Sequence, residues 1–253
     1  MKFLYLLIII LIFSNEVKSQ NLRTNYKYKS DYAFAIGITT LQLLGDNPAI
    51  DEMRYNDRNG TAGGGFIGAQ TGIDLRVTRY LDDEDKHRIP LGVSFAFFSA
   101  GSRTFQSGRD AFYKFAYRHE LLISDVYTGW QYSFLRFPLG NAQMWAGVEL
   151  HGIYVSDQTY SQEYSEIDPG DELLDRKVNS KDDQFRIGPL FRLGIDGEIQ
   201  ERIMINMSGG IQLLNLFLRD DSQGNLLLTN KGRIKNETYA WAFNFSLLIQ
   251  YRL

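Results

Sequence analysis

Glu149 and His151 stand two residues apart on one strand face, where a carboxylate and an imidazole can share a proton. Ser94 or Ser124, set across from the pair, would supply the hydroxyl that it activates. The same small and polar strand faces also carry Asp74, Arg76, Glu120, Asp125, Arg186, Arg192, Asp196 and Arg252. Two chemistries fit this set: acid–base catalysis by Glu149 and His151, or a network of interior ion pairs to which all ten residues belong. Charges that share one enclosed face have to pair or be hydrated, so the network is the first reading and catalysis the second.

The remaining constellations are weaker. Glu163, Glu166, Asp168, Asp171 and Glu172 crowd one stretch and offer carboxylate oxygens to Ca²⁺, but without EF-hand spacing, and a solvated acidic loop is the simpler reading. Gly60, Gly63, Gly64, Gly65 and Gly68 lack the Gly-Lys-Ser/Thr that a phosphate cradle needs. No cofactor and no metal is therefore expected. His87 falls in a short turn, and His119 is expected on an outward face near a rim.

The chain of 253 residues has the length of one domain, an ordinary apolar content of 44% and a high aromatic content of 14%. Its formal charge of −3, with both signs interspersed, provides no basic field for nucleic acid. It has no cysteine, which excludes disulfides, thiolate metal sites, thiol catalysis and acylation as a lipoprotein. Lys2, the apolar run Phe3 to Phe13 and the small-residue end Val17-Lys18-Ser19 read as a cleaved secretory signal over residues 1–19, leaving a domain over 20–253. A membrane helix needs about 20 apolar residues, and neither this run nor any later segment qualifies.

The elements that must position the charges are strands, most legibly the last. From Tyr239 to Leu253 every second residue is apolar (Trp241, Phe243, Phe245, Leu247, Ile249, Tyr251), and between them lie Ala240, Ala242, Asn244, Ser246, Leu248, Gln250 and Arg252. The same period of two appears in Tyr32–Thr39, Ile67–Val77, Ile89–Phe98, Phe112–Phe134, Met144–Tyr154, Phe185–Asp196 and Ile203–Leu213. The fourth of these changes parity between Leu121, Ile123 and Val126, Thr128, which predicts a β-bulge near Ser124-Asp125. Gly45–Gly60, Gly101–Asp110, Ser156–Asp183 and Arg219–Asn236 read as long loops, alternating with short turns on the side of both chain ends. Trp130, Tyr132, Phe134, Phe137, Trp145 and Tyr251 form one aromatic group near the short turns; Phe105, Phe115, Tyr117, Tyr154, Phe217 and Tyr239 form a second near the long loops.

Alternating faces, alternating loop lengths and two aromatic girdles are what a bilayer-spanning barrel requires. On these features the chain resembles the small outer-membrane β-barrels of the OmpA/OmpX type. The resemblance implies an all-β, antiparallel, up-and-down transmembrane barrel of about eight strands with a side-chain-filled lumen. It also implies the outer membrane of a Gram-negative bacterium as location and outer-membrane lipid as surroundings. Phe245, Leu247, Ile249, Tyr251 and Leu253 resemble the C-terminal signal read by the outer-membrane assembly machinery, with Leu253 where that family usually has Phe.

The expected role is structural or surface-interacting, carried by the long loops, with Tyr160, Tyr164 and the acidic residues available to an unknown extracellular partner. Two alternatives keep the membrane. One is a lipid-modifying enzyme working through Glu149 and His151, although the His-x-Ser of the lipid A deacylases is absent after His151; the other is a narrow channel. A third alternative is a soluble lipid carrier with the apolar faces turned inward. Small residues on the polar faces (Ala33, Ala35, Gly37, Gly72, Gly92, Gly194, Gly210) argue against it, because a water-facing surface would carry charge there.

Overall fold

Period-two segments fold as strands wherever one face meets a packed interior and the other does not. The computed structural model describes residues 31–45, 47, 49–51, 54–56, 60–62, 64–107, 112–137, 141–166, 174–179, 182–218, 226 and 237–253. The expected leader, Met1–Ser19, lies outside them, as do Asp168, Asp171 and Glu172. In chain order the strands are β1 (Tyr32–Leu44), β2 (Arg54–Asn56), β3 (Gly60–Ala62), β4 (Ala69–Tyr80), β5 (His87–Ser107) and β6 (Phe112–Arg136). They continue with β7 (Gln143–Glu166), β8 (Leu174–Asn179), β9 (Gln184–Gln200), β10 (Ile203–Leu213) and β11 (Trp241–Arg252). Among the described residues no helix is long and apolar enough to cross a membrane.

Eight of these strands form the wall, in the order β6-β5-β4-β1-β11-β10-β9-β7, and β6 pairs with β7 to close the ring. Every pairing is antiparallel. The first and last strands meet along their full length, from Ala33 opposite Arg252 to Leu44 opposite Trp241. The protein is thus an up-and-down eight-stranded barrel with no open edge in its wall.

Its faces are inverted relative to a soluble protein. Ile249 is 60% exposed, while its neighbours Leu248 and Gln250 are 0% and 2% exposed, and the same alternation runs around the ring through Ile36, Val77, Leu91, Val126, Val148, Phe191 and Ile211. A wall whose outside is aliphatic and whose inside holds the charges is at home in hydrocarbon. Trp130, Tyr132, Phe134 and Tyr251 stand exposed toward the short turns, and Tyr154, Phe217 and Tyr239 toward the long connections. The soluble-carrier alternative, which needs the apolar faces inside, is overturned by these exposures.

Several details depart from expectation. The register shifts in the β6–β7 pair fall between Glu120 and Leu122 and between Ser133 and Leu135, not near Ser124-Asp125. There is no change of parity at 124–125, because Leu121 and Ile123 point inward with Asp125 and Tyr127. They belong to an apolar cluster inside the long-connection half of the barrel, with Leu41, Leu43, Phe98, Ile153, Val155 and Leu214. His119 is likewise inside: it is wholly buried, its Nδ1 3.1 Å from the Gly64 carbonyl and its ring 4.4 Å from that of Phe66. Trp145, expected in a girdle, is wholly buried in the lumen. Apolar residues can face either a lipid or a plug, and period alone does not tell which.

Two expected loops are largely strand. β5 continues to Ser107 and β6 starts at Phe112, paired through Ser107 opposite Phe112, and β7 continues to Glu166 with β8 beside it. Above the lipid neither face has to be apolar, so the pairing persists after the hydrophobic alternation ends. The connection between β1 and β4 carries the small β2–β3 hairpin and then turns down onto the barrel mouth, where Phe66 N–H donates to the Ala49 carbonyl at 3.0 Å and both side chains join the apolar cluster.

Glycines make room for the large interior rings. A Cβ on Gly92 would lie 2.4 Å from the Tyr127 ring, and one on Gly194 would lie 2.4 Å from the Trp145 ring. At the other end, the β4–β5 turn is fixed by Asp82, whose carboxylate accepts the backbone N–H groups of Glu84, Lys86 and His87 at 3.0, 2.8 and 2.6 Å. Partial burial pushes the Asp82 carboxyl up, but these bonds outweigh it and hold the group below its ordinary value of 3.8.

Two outcomes follow from this packing. Gly194→Ala is expected to lower stability by about 1–3 kcal/mol through overpacking, read as a lower urea midpoint of the folded barrel in micelles. Because the folded Asp82 carboxyl titrates below its unfolded value, its contribution is present above about pH 4 and is lost as pH falls through the folded value. Amide exchange at Glu84, Lys86 and His87 is expected to speed up over that acid range, beyond the change in intrinsic exchange rate, and in the Asp82→Asn variant to show no such acid step.

Candidate functional site

The lumen is the place where the strands bring chemistry-bearing side chains together, and it is organised in layers. Nearest the short turns, Arg252 holds Asp85 through two nitrogens at 2.7 and 2.8 Å and lies 4.0 Å from the centre of the Tyr80 ring. Tyr80 accepts a hydrogen bond from Gln250 at 2.7 Å. Just above, Asp196 is ion-paired with Arg88, accepts from the Trp145 indole at 3.2 Å and is bonded by Asn206. The Arg88 guanidinium lies 4.5 Å from the Trp145 ring centre.

The middle layer holds the densest set. Arg76 donates to Asp74 at 2.9 Å and to the Tyr127 hydroxyl at 2.9 Å, and that hydroxyl donates to the other Asp74 oxygen at 2.6 Å. Arg192 Nε lies 3.2 Å from Glu149, whose second oxygen accepts from Gln131 at 2.9 Å. His151 stands between two carboxylates, with Nδ1 3.4 Å from Asp125 and Nε2 3.3 Å from Glu149. Nε2 is within hydrogen-bond reach of Glu149, whereas Nδ1 faces Asp125 without hydrogen-bond geometry. Arg76 and Arg192 thus stand against Asp74 and Glu149 in one layer, with His151 beside Asp125. Tyr127 stacks on the imidazole, centroids 4.8 Å apart.

The apolar cluster follows, and at its far side a last polar group closes the mouth. Arg186 donates to Glu237 at 3.0 Å and to Gln184 at 3.0 Å. Asn215 donates to Glu237 at 2.9 Å and accepts the Ala240 N–H at 2.7 Å, tying the last connection to the wall.

Nine of the ten expected lumen residues are therefore inside: Asp74, Arg76, Asp125, Glu149, His151, Arg186, Arg192, Asp196 and Arg252. Glu120 is not. Its side chain is 43% exposed and paired with Arg118 at 2.6 Å, on the far side of the wall from His119 and Leu121. The proposed hydroxyls do not reach His151 either: Ser94 donates to Asp125 at 2.9 Å, and Ser124 lies on the outward parity between the buried Ile123 and Asp125. His151 Nε2 reaches Glu149 at 3.3 Å, and Glu149 also meets Gln131 and Arg192, contacts that tie β6, β7 and β9 together.

Sequence reasoning missed Arg88, Tyr127, Gln131, Trp145, Asn206 and Glu237. Parity would have found Arg88 and Trp145, since Ile89, Leu91, Val148 and Leu150 face out and the odd-numbered or even-numbered partners between them must face in. Glu237 carries no such signal, because it lies outside any strand. Among the described residues no group of three or more acidic or histidine side chains converges as metal ligands. Phe245, Leu247, Ile249, Tyr251 and Leu253, expected to form a C-terminal signal, all point outward along or just past β11.

An inside-out eight-stranded ring with a packed, ion-paired interior defines an up-and-down barrel built to stand in a membrane. No protein-family model matches the chain, and no curated protein matches it. Among solved structures, it aligns with Neisserial surface protein A at 8% identity and a TM-score of 0.40, over 88% of this chain and 98% of that one. It aligns with Ail, the attachment invasion locus protein of Yersinia pestis, in complex with sucrose octasulfate, at 10% identity and a TM-score of 0.39, over 88% and 97%. The outer membrane protease OmpT from Escherichia coli aligns at 9% identity and a TM-score of 0.28, over 89% and 98%. Likenesses of this size say nothing of function, and the fold stands on the strand pairing itself.

Removing Asp196 would leave Arg88 buried with its charge uncompensated. Asp196→Ala is expected to cost about 3–5 kcal/mol, read from urea unfolding in micelles by tryptophan fluorescence, with Trp145 reporting directly from the lumen.

Proposed function

We propose that this chain is an integral outer-membrane protein whose role is structural or surface-interacting and is carried by its long-connection end. In this reading Met1–Ser19 is a cleaved export signal, the outward side chains of the C-terminal strand are read by the assembly machinery, and the short turns lie in the periplasm. The observation that carries it is the contrast between a filled lumen and an extended outer sheet. Ion-pair layers and an apolar plug occupy the interior. Meanwhile β5, β6 and β7 run on past the level of Ala96, where β4 stops pairing, and β8 adds a further strand from Leu174 opposite Tyr164 to Asn179 opposite Thr159. Rigid paired strands standing clear of the lipid are a platform for contact with another molecule.

The plug also bears on the alternatives. A channel would need a continuous wet path, but Phe66, Phe98, Leu121, Ile123 and Ile153 pack across the mouth, with the rings of Phe66 and Phe98 edge to face at 5.3 Å. A lipid-modifying site would need Glu149 and His151 to meet a substrate, whereas each is 1% exposed and enclosed by other lumen side chains.

The test is made on residues 20–253 folded in detergent micelles and on intact cells. The unheated sample is expected to migrate as a distinct, heat-modifiable band, to give a strand-rich circular dichroism spectrum, and to leave planar bilayers without steady conductance. Protease added to intact cells is expected to cut only in the long connections. A chain that is folded and soluble without detergent would overturn the membrane reading, and a stable open conductance would overturn the filled-lumen reading.

A further inference from the structure

The bulge at the short-turn end of β6 opens a concavity that the lumen network does not use. Between Ser133 and Leu135 the register shifts, so Phe134 and Leu135 both face outward, 51% and 46% exposed. Bulges at barrel rims re-aim side chains in this way. Between them and the β4–β5 turn lies a cavity of about 190 Å³, lined also by Glu84, Lys86, Arg136 and Gln143.

The polar half of this cavity is built on a fixed frame. Asp82 caps the turn with three backbone bonds, Asp85 is gripped by Arg252, and the Lys86 carbonyl accepts the Ser133 N–H at 2.8 Å. Arg136 donates to the Glu84 carbonyl at 2.8 Å, and the Glu84 carboxylate pairs with the Lys86 ammonium. The cavity therefore presents two cations and one carboxylate side by side over an apolar floor. Leading to it along the outward wall is a file of rings, with His87 stacked on Trp130 at 5.6 Å and Trp130 on Tyr132 at 6.1 Å.

The geometry points to a headgroup site for a glycerophospholipid of ethanolamine type, with its phosphate between Lys86 and Arg136, its ammonium on Glu84 and its chains on Phe134 and Leu135. A cationic pair alone would suit any anionic lipid. The carboxylate in the same cavity changes the preference, because an anionic headgroup meets repulsion there and a zwitterionic one finds a partner for each charge. The aromatic file supplies the interfacial anchoring that aligns a chain along the wall. This inference rests on the reading of the short turns as lying at a membrane surface.

The folded barrel, residues 20–253, is exchanged into micelles doped with phosphatidylethanolamine or phosphatidylglycerol, and retained lipid is counted by native mass spectrometry. Heat-modifiable gel mobility is followed on each sample, so that loss of the barrel is seen separately from loss of the site. Phosphatidylethanolamine is expected to be retained about fivefold more than phosphatidylglycerol, the worth of one interfacial charge contact. Glu84→Gln is expected to abolish or reverse that preference, and Lys86→Ser with Arg136→Ser to lower retention of both lipids, all with unchanged heat-modifiability. Free O-phosphoethanolamine is expected to bind at least about tenfold more weakly than the lipid, because it has no chains to lay on Phe134 and Leu135. Equal retention of the two lipids by the native barrel, a preference that survives Glu84→Gln, or free headgroup binding as well as lipid would each overturn the assignment.

Discussion

Hydrocarbon has no water to satisfy a backbone N–H or carbonyl, and everything else in this protein follows from that demand. A strand in lipid must be paired on both sides, so the sheet has to close on itself. Here the closure is made between β1 and β11, the two ends of the chain, from Ala33 opposite Arg252 to Leu44 opposite Trp241. With eight strands the ring is just wide enough for side chains, and a ring of that width has to be filled from within. Glycine opposite tyrosine and tryptophan is how the space is shared: Gly92 admits Tyr127, and Gly194 admits Trp145.

The filling is of two kinds, and they do different work. The ion-paired half fixes register, because a slip of one residue would turn Asp74, Arg76, Glu149 and Arg192 into lipid, where each buried charge would lose its partner. Such pairs add little net stability against a well-packed apolar core, but losing one member is costly. The apolar half seals the mouth and does so with residues from the connections as well as the wall, Ala49, Phe66 and Leu226 among them. His119 belongs to this seal, tying the Gly64 carbonyl to β6. Ala49, Phe66 and Leu226, from the first and last long connections, are thereby part of the interior, while the outer ends of β5 to β8 pair beyond it.

Much of this was legible before any coordinates. Eight alternating segments, the side of the sheet that nine of the ten lumen candidates occupy and the outward residues of the last strand all follow from period two, since side chains alternate along a paired strand. The exceptions sit where that rule loses its meaning. Leu121 and Ile123 are apolar and yet inside, because the upper lumen is itself apolar; Glu120 is charged and yet outside, because at the rim a charge can reach water; and β5 and β7 keep pairing where no lipid imposes a pattern.

What the sequence by itself determined is therefore which residues of a strand share a face, because alternation is a local property written into consecutive residues. What only the tertiary structure decided is who meets whom across the lumen. Arg88 and Asp196 lie 108 positions apart, Arg76 and Tyr127 lie 51 apart, and His151 is set between Asp125 and Glu149. Those meetings depend on the stagger of the strands around a closed ring, and stagger is fixed by the sum of all the pairings rather than by any one segment. The same closure decided that Glu149 and His151, which read as an acid–base pair along one strand, are packed among Asp125, Gln131 and Arg192 from the neighbouring strands.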